Sequence, residues 1–347
     1  MQILCYGAGA VGSLVGGKLA LGTDAAVTLL ARRAHVAGIR TRGLGVDTPE
    51  GIAVAKRVDS ITSLDDLSAA PDLVILTVKA YRTAEALVDL APVLRGGPRV
   101  LTLQNGVGNE EAIAGVVGAD RAVSGAVTLS VSIPRAGDVR QNTAGGGVAL
   151  APVAPGSPVD DLVALFGRAS FRTAAYPDYR AMKWSKLLLN ILTNAAAAVL
   201  DMTPAELASD PRTFAIEREA FLEAVRVMRA LRLRPVPLPG YPVPVLARVM
   251  AGPGPLARLI VGPRLRGGRG RKMPSLWEDL EHGRTRSEVE VLNGAVVREG
   301  AGVGVRTPVN AALTEVLLAL ASGRRDRSEF RRKPDTLLAY RLPERAG

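Results

Sequence analysis

The stretch Ile3-Leu4-Cys5-Tyr6-Gly7-Ala8-Gly9-Ala10-Val11-Gly12 decides the fold of the first half of the chain. Its apolar start predicts a short strand, and a helical pattern from Ser13 to Leu21 follows the glycines. In a G-x-G-x-x-G turn, the first glycine permits the tight turn, the second lets a pyrophosphate approach, and the third lets helix and strand pack closely. Because the helix start presents N–H groups to phosphate, we expect a dinucleotide to bind here. The residues expected to bind it are Gly7, Ala8, Gly9, Ala10, Val11 and Gly12.

The end of the second predicted strand, Ala26 to Leu30, discriminates between two cofactors. A site for NAD would place Asp or Glu there, where it would bind the ribose hydroxyls. This chain has Arg32 and Arg33 instead. Guanidinium groups bind phosphate well, so we predict that Arg32, with Arg33 beside it, binds the 2′-phosphate of NADP. An exposed basic helix start is the alternative interpretation.

Strands and helices alternate in the first half of the chain, and further buried strands are predicted at Leu73 to Val78 and Val100 to Leu103. Apolar strands separated by helices indicate a parallel sheet that is covered on both faces. From about Tyr176 the pattern becomes helical. We therefore predict an α/β protein with an N-terminal Rossmann-type dinucleotide-binding domain and a C-terminal all-helical substrate domain. The expected bounds are 1–175, 176–323 and, for a basic flexible tail, 324–347.

Three local expectations accompany this division. The run from Met182 to Leu200 predicts one long helix, and the Pro/Gly-rich stretch from Arg234 to Pro255 predicts irregular chain. The segment from Gly145 to Leu150 predicts an edge strand.

Composition excludes several classes of protein. The 347 residues are 48% hydrophobic and 22% charged, which is ordinary globular usage and argues against a disordered chain or a fibre. One cysteine cannot form an internal disulfide, and with only two histidines, far apart, we expect no metal site. The first residues lack the pattern of a secretory signal, and no apolar run approaches the roughly 18 residues of a membrane span. We therefore expect a cytoplasmic protein without a membrane partner.

The net charge of +11 is concentrated in two places. Gly262 to Lys272 carries five basic residues and no acidic one, and Arg324 to Gly347 carries eight basic and four acidic residues. We expect both to be flexible, solvated segments, with contact to anions or nucleic acid as the alternative. Nucleic acid is not the favoured partner, because the rest of the chain is nearly neutral and only 4% of residues are aromatic.

Polar residues follow two of the predicted strands. Lys79-Ala80-Tyr81 comes after the third strand, and Gln104-Asn105-Gly106 comes after the fourth. Ligands of open α/β sheets bind at the carboxyl ends of the strands, so both segments are candidate ligand contacts.

A polar stripe marks the predicted helix from Met182 to Leu200. Lys186, Asn190 and Asn194 are spaced four residues apart, which keeps them on one face of an otherwise apolar helix. Buried polar groups without partners are costly, so we expect the stripe to face a ligand cleft, with a solvent-facing stripe as the alternative. Lys183, three residues before Lys186, lies on an adjacent face of the helix. It is the main alternative to Lys186 for any role that requires a lysine.

With these segments identified, the chain resembles the ketopantoate reductase (2-dehydropantoate 2-reductase) family. The glycine turn, VKAY at 78–81 and QNGVG at 104–108 match it, as do KWSKLLLNILTN at 183–194, PSLWED at 274–279 and SEVEVLNG at 287–294. They follow the family order from residue 1 to about 322. The resemblance implies a Rossmann domain joined to a helical substrate domain, and NADPH as hydride donor. It also implies reduction of 2-dehydropantoate, a small 2-keto acid, to (R)-pantoate on the route to pantothenate and coenzyme A.

The resemblance also implies roles for single residues. Lys186 is similar in position to the general acid that protonates the forming alkoxide and polarises the ketone. Asn190 and Asn194 resemble substrate-orienting amides, and Ser275 resembles a hydroxyl donor to the substrate carboxylate. Glu288 resembles the catalytic acid near the nicotinamide end of the cofactor.

Three further cofactor contacts follow from the same resemblance. Lys79 and Asn105 correspond to cofactor-binding residues, and Asn105 also faces the substrate. The backbone near Val131 is a further cofactor contact.

Departures from the family pattern keep alternatives open. Ala195 follows Asn194 where the family usually has proline, Pro204 replaces a substrate-contacting Asn of some members, and Arg234 to Lys272 resembles an insertion. A paralogous NADP-dependent reductase of another 2-keto acid is the first alternative, and a non-catalytic NADP-binding regulator is the second. The apolar faces of the helical domain leave a homodimer open.

Overall fold

The computed structural model describes residues 1–268 and 272–340, and the chain divides into two compact units. The N-terminal unit comprises Met1–Gln104, Gly108–Lys183 and Leu238–Tyr241. The C-terminal unit comprises Asn105–Val107, Trp184–Pro237 and the chain from Pro242 onward. The N-terminal unit therefore extends past residue 175, where the sequence led us to expect its end.

The N-terminal unit is built on an eight-stranded sheet in the order β12-β11-β8-β7-β6-β1-β2-β5. Six neighbouring strands of this sheet are parallel to one another, namely β8, β7, β6, β1, β2 and β5. Strand β11 runs antiparallel to β8 and parallel to β12. Strands on both sides of β1 make this the doubly wound arrangement of a Rossmann fold, which confirms the predicted fold class. The strands of the unit are β1 (Gln2–Tyr6), β2 (Ala26–Leu30), β3 (Leu44–Thr48), β4 (Gly51–Ala55), β5 (Val58–Ile61), β6 (Leu73–Leu76), β7 (Arg99–Thr102), β8 (Ala122–Val127), β9 (Val131–Ser132), β10 (Asp138–Gln141), β11 (Val148–Pro152) and β12 (Thr173–Ala175).

Helices cover both faces of this sheet. Successive side chains of a strand point to opposite faces, so Ile3 and Cys5 pack in one apolar cluster and Leu4 and Tyr6 in another. Helices α1 and α6 contribute to the first cluster, and α3 and α5 contribute to the second. The helices are α1 (Ala10–Gly22), α2 (Arg33–Arg42), α3 (Thr83–Asp89), α4 (Ala91–Leu94), α5 (Asn109–Val117) and α6 (Asp160–Arg168), with 3₁₀ turns at Leu64–Asp66 and Ala80–Arg82.

Two features of this unit differ from the sequence-based expectations. A second sheet, in the order β4-β3-β10-β9, was not predicted. The strand predicted at Gly145 to Leu150 is present as β11, which begins at Val148. Its predicted edge position is wrong, because β11 is paired on both sides and β12 forms the edge.

The C-terminal unit is helical, as predicted. Helix α7 begins in the N-terminal unit and continues into this one. Thr203 caps α9 through a reciprocal pair of hydrogen bonds with Glu206, and Pro204 occupies the first turn. None of the helices in the described ranges is long and apolar enough to cross a membrane. The helices are α7 (Tyr179–Ile191), α8 (Ala195–Leu200), α9 (Pro204–Ser209), α10 (Pro211–Ala230), α11 (Val243–Ala251), α12 (Gly254–Gly268), α13 (Ser275–Glu281), α14 (Asn293–Gly302), α15 (Pro308–Ala321) and α16 (Pro334–Ala339), with 3₁₀ turns at Glu288–Val291 and Arg327–Glu329.

Several predictions for this half of the chain were wrong. The predicted helix from Met182 to Leu200 is broken between α7 and α8. The stretch from Arg234 to Pro255 contains α11, whose first turn accommodates proline. The predicted loop from Gly262 to Lys272 is helical as far as Gly268, because α12 continues into it, and residues 269–271 lie outside the described residues.

The predicted flexible tail is folded over residues 324–340. Phe330 is 1% exposed, Leu337 is buried, and α16 packs against α10. The remaining tail residues, 341–347, lie outside the described residues.

Candidate active site

The glycine turn joins β1 to α1 and presents bare backbone at the helix start. Gly7 has φ +87°, and a Cβ there would lie 2.8 Å from the backbone nitrogen of Val78. A Cβ on Gly12 would lie 2.5 Å from Oγ1 of Thr77, a hydroxyl that donates to the Gly7 carbonyl over 2.9 Å. Gly7 therefore requires glycine because of its backbone conformation and the nearby Val78 backbone, and Gly12 because the Thr77 side chain leaves no room for a Cβ.

Gly9 differs from the other two glycines of the turn. The nearest atom to a Cβ on Gly9 would be the Gly7 carbonyl oxygen at 3.9 Å, so a side chain would point into open space. The N–H groups of a first helical turn have no acceptor within their own helix, and the helix dipole adds a partial positive charge. The turn has the backbone features of an anion-binding helix start.

Arg32 and Arg33 lie at the start of α2, directly after β2. Arg32 is the N-cap residue of that helix, both side chains are exposed, and no acidic residue occupies the first turn. The end of β2 thus presents cations where a ribose-binding carboxylate would otherwise stand.

His35 links α2 to the glycine turn, and sequence reasoning missed it. The ring is buried, its Nδ1 accepts the N–H of Gly137 over 3.0 Å, and its Nε2 is 3.0 Å from Oγ of Ser13. Because Nδ1 accepts, the proton of the neutral ring is on Nε2, which donates to Ser13. Ser13 donates in turn to the Ala8 carbonyl over 3.2 Å. Burial lowers the pKa of His35 below its usual value, which favours this neutral form.

The other two predicted cofactor contacts of the N-terminal unit lie at separate strand ends. Lys79 precedes the 3₁₀ turn Ala80–Arg82 after β6, and its side chain is half-buried. Val131 begins β9 in the smaller sheet, where it pairs with Gln141.

In the C-terminal unit, Lys186 stands out by its exposure. Among residues 181–200 it is the only one that is not buried. A lysine that remains partly exposed within an otherwise buried stretch is a candidate for contact with a ligand, whereas its neighbours form core.

The predicted polar stripe is interrupted by the break between α7 and α8. Lys186 and Asn190 belong to α7, but Asn194 is the N-cap residue of α8. Thr193, between them, has φ +54° and is fully buried. The expectation of one continuous helical face is therefore wrong beyond Asn190.

Each of the two amides contacts another predicted site segment. Asn190 donates from Nδ2 to Oδ1 of Asn105 over 3.1 Å, which brings together two residues expected to bind substrate. Oδ1 of Asn194 accepts the N–H of Leu276 over 3.2 Å, at the start of α13 and next to Ser275.

Glu288 begins the 3₁₀ turn Glu288–Val291 and is 3% exposed. The last residue of that turn packs against the segment that contains Asn105: a Cβ on Gly106 would lie 2.6 Å from the carbonyl oxygen of Val291. Asn105, Asn190 and the turn of Glu288 therefore form one cluster. Asn194 and Ser275 form a second pair within the same unit.

Lys183, the rival proton donor, has a different environment from Lys186. Its Nζ lies 3.1 Å from Oε1 of Glu110, donates to the Gln104 carbonyl over 2.6 Å, and is almost fully buried, as is Glu110. Glu110 also accepts from Ser124 over 2.8 Å. A lysine with these partners holds strand and helix together, which argues against a role as proton donor.

The fold and these residues define a class of protein. A glycine turn on a doubly wound parallel sheet, in one chain with a helical unit that carries a lysine and clustered amides, is the architecture of an α/β dinucleotide-binding enzyme.

Comparison with known families identifies the chain more closely. The protein family described as "Ketopantoate reductase PanE/ApbA" matches residues 3–155 of the chain. The family described as "Ketopantoate reductase PanE/ApbA C terminal" matches residues 178–321. The chain belongs to this family of pyridine-nucleotide-dependent oxidoreductases, as the sequence motifs predicted.

Individual relatives agree with this assignment. The chain is 32% identical over 321 residues to a 2-dehydropantoate 2-reductase of Halobacterium salinarum, which covers 91% of this chain and 98% of the relative. A 2-dehydropantoate 2-reductase of Caulobacter vibrioides is 31% identical, over 92% of this chain and 99% of the relative.

Solved structures show the same fold. A PanE/ApbA family ketopantoate reductase from Ralstonia eutropha JMP134 superposes with a TM-score of 0.78 at 26% identity, over 94% of this chain and 100% of the other. A D-mandelate dehydrogenase in a ternary structure with NADH and anilino(oxo)acetate has a TM-score of 0.79 at 23% identity, over 93% and 99% of the two chains. At that identity the second comparison concerns the fold alone.

Proposed function

We propose that this protein reduces the ketone of 2-dehydropantoate to (R)-pantoate with NADPH, a reaction of pantothenate and coenzyme A biosynthesis. The names of its relatives support the substrate. The observation that carries the proposal is the position of Lys186, the only residue between 181 and 200 that is not buried, on the helix that also bears Asn190.

The glycine turn and Arg32 fit a phosphorylated dinucleotide. The open space at Gly9 and the start of α1 suit the pyrophosphate, and the exposed guanidinium of Arg32 suits a 2′-phosphate. The bound NADPH would supply the hydride. We assign further cofactor contacts to Lys79, Asn105 and the backbone of Val131.

Lys186 is the proton donor in this proposal. Its ammonium polarises the ketone oxygen and then gives that oxygen a proton, so negative charge does not accumulate there. Amide side chains can donate hydrogen bonds but cannot release a proton at neutral pH. Asn190 and Asn194 are therefore assigned to orienting the substrate.

The remaining assignments concern the ends of the substrate and cofactor. Ser275, half-buried at the first position of α13, would donate its hydroxyl to the substrate carboxylate. Glu288 would act at the nicotinamide end, close to Asn105 in the cluster described above.

The test measures NADPH consumption with 2-dehydropantoate and a panel of other 2-keto acids, each also with NADH. The highest kcat/KM is expected for 2-dehydropantoate with NADPH. A higher value for another 2-keto acid would favour a paralogous reductase, and no turnover with any of them would favour a non-catalytic regulator. A cytoplasmic location and a homodimer stay predictions.

A further inference from the structure

The turn between α7 and α8 is held in a conformation that its own sequence does not favour. Thr193 has φ +54° and is fully buried. A β-branched residue rarely adopts this left-handed region, since its side chain then crowds the backbone. Asp201, at the other end of α8, has a similar φ of +51°, but Asp tolerates it far better. The unusual backbone at Thr193 must therefore be stabilised from outside the turn.

Glu217 supplies that stabilisation from α10. Its Oε2 accepts the backbone N–H of Thr193 over 2.6 Å, and the side chain is 3% exposed. A carboxylate buried to this extent costs free energy, as does the strained threonine. The buried carboxylate and the strained backbone are both unfavourable, and one hydrogen bond joins them. We infer that the conformation of this turn serves a purpose other than stability.

The consequence of the turn is the placement of Asn194. In a continuous helix, Asn194 would follow Asn190 along one face of α7. With the break it becomes the N-cap residue of α8, and its Oδ1 accepts the N–H of Leu276 beside Ser275. Proline is common at the first position of a helix, but Ala195 occupies it here, so no proline ring restricts the backbone at this point.

We propose that Glu217 is a positioning residue, which holds the Thr193 turn so that Asn194 is directed to the start of α13. The proposal rests on the proposed function, because it takes Asn194 as a substrate-orienting amide. Under this proposal, the orientation of the substrate also depends on the Glu217 carboxylate, which belongs to a different helix, α10.

The test is a matched pair of variants that separates geometry from charge. Glu217→Gln keeps the length of the side chain and an acceptor oxygen while it removes the charge. Glu217→Asp keeps the charge but withdraws the acceptor from Thr193. With saturating NADPH, we expect Glu217→Asp to raise KM for 2-dehydropantoate roughly 10-fold or more, because small misplacements of orienting groups are costly. Glu217→Gln should stay within about 2-fold of the wild type, and the Kd of NADPH should change little in either variant.

A second substitution tests the backbone argument. Glycine adopts positive φ without strain. Thr193→Gly, combined with Glu217→Asp, should therefore reverse part of the increase in KM that Glu217→Asp causes. Equal impairment of Asp and Gln variants, an unchanged KM in Glu217→Asp, or no recovery with Thr193→Gly would each overturn the proposal.

A readout without turnover keeps this proposal separate from the proposed function. The side-chain amide resonances of Asn194, assigned through their loss in Asn194→Asp, should shift in Glu217→Asp and stay near their wild-type positions in Glu217→Gln. If the wild type does not reduce 2-dehydropantoate, the proposed function fails, and these resonances still decide the positioning role. Resonances that stay in place in Glu217→Asp would overturn it.

Discussion

Lys183 and Glu110 form an ion pair of 3.1 Å in which the side chains are only 2% and 1% exposed. Lys183 lies three residues before Lys186, and it also donates to the carbonyl of Gln104, directly before Asn105. Two lysines of one helix thus have different environments: Lys183 is buried in an ion pair, and Lys186 is only partly buried.

Lys183→Ala should destabilise the protein, because it leaves the Glu110 carboxylate buried without its cation. Loss of one partner of a buried pair costs about 3–5 kcal/mol of unfolding free energy. Denaturant unfolding measures this loss, and the double variant with Glu110→Ala should recover much of it. A fully stable Lys183→Ala protein would contradict the structural role.

Lys186→Ala should lower kcat at least roughly 10²-fold, because the proton donor to the alkoxide is lost. The Kd of NADPH should change little, since the glycine turn and Arg32 are intact. Arg180→Ala removes another cation from α7 and serves as the control, with turnover near the wild-type value. Wild-type turnover in Lys186→Ala would refute the assignment of the proton donor.

Arg32→Ala should weaken NADPH binding while NADH binding stays nearly unchanged. A charged hydrogen bond contributes about 1.5–3 kcal/mol, which corresponds to roughly 10–100-fold in Kd. Titration of the two cofactors, with Arg33→Ala measured in parallel, shows how the guanidinium groups share the phosphate. An equal loss for both cofactors would make Arg32 structural.

Gly7→Ala and Gly9→Ala should fail in different ways. Alanine at position 7 meets the Val78 backbone and has an unfavourable φ, so Gly7→Ala should lower thermal stability. Alanine at position 9 points into open space, so Gly9→Ala should keep its stability and lose affinity for NADPH. Melting temperature and NADPH titration together separate the two effects, and a stable Gly9→Ala protein with wild-type affinity would exclude a phosphate at this turn.

His35 should make stability dependent on pH. Burial lowers the pKa of His35 in the folded state. Below the ordinary histidine pKa of about 6.5, the unfolded chain therefore binds more protons than the folded protein. The contribution of His35 is fully present above that pH and is lost below it, because the protonated Nδ1 cannot accept from Gly137. Denaturant titrations at a series of pH values measure the slope, which should become shallower in His35→Gln. The exposed His282 is the matched control, and an unchanged slope in His35→Gln would contradict the prediction.

The sequence allowed much of the fold to be predicted because the decisive signals are local. The strand at Ala26–Leu30 has its predicted bounds, and the helix predicted from Ser13 to Leu21 ends within a residue of its expected end. The smaller sheet was missed in both of its parts. The β3-β4 hairpin is local, but it was not recognised from the sequence. The pairing of β3 with β10 spans a long sequence separation, which no local pattern indicates.

The candidate site was harder to predict wherever a distant group decides the local structure. The break at Thr193 depends on a carboxylate of α10, and the burial of Lys183 depends on Glu110 of α5. Neither partner is visible from the helical pattern of residues 182–200, which by itself is continuous. The glycine turn could be recognised because the spacing of its three glycines is local, although Thr77 and Val78, which pack against it, are distant in sequence.

The single cysteine gives the chain a natural reporter of its own unfolding. Cys5 lies in β1, an interior strand of the large sheet that pairs with β2 and β6. It is fully buried, and burial raises the pKa of its thiol to about 12. A thiol in that environment is unreactive, because it stays protonated, the thiolate being the reactive form, and because it is buried away from reagents. Modification by a thiol reagent therefore counts only those molecules in which β1 has separated from its neighbours. The kinetic lifetime of the native state can be followed in the unaltered protein, without a label placed by design.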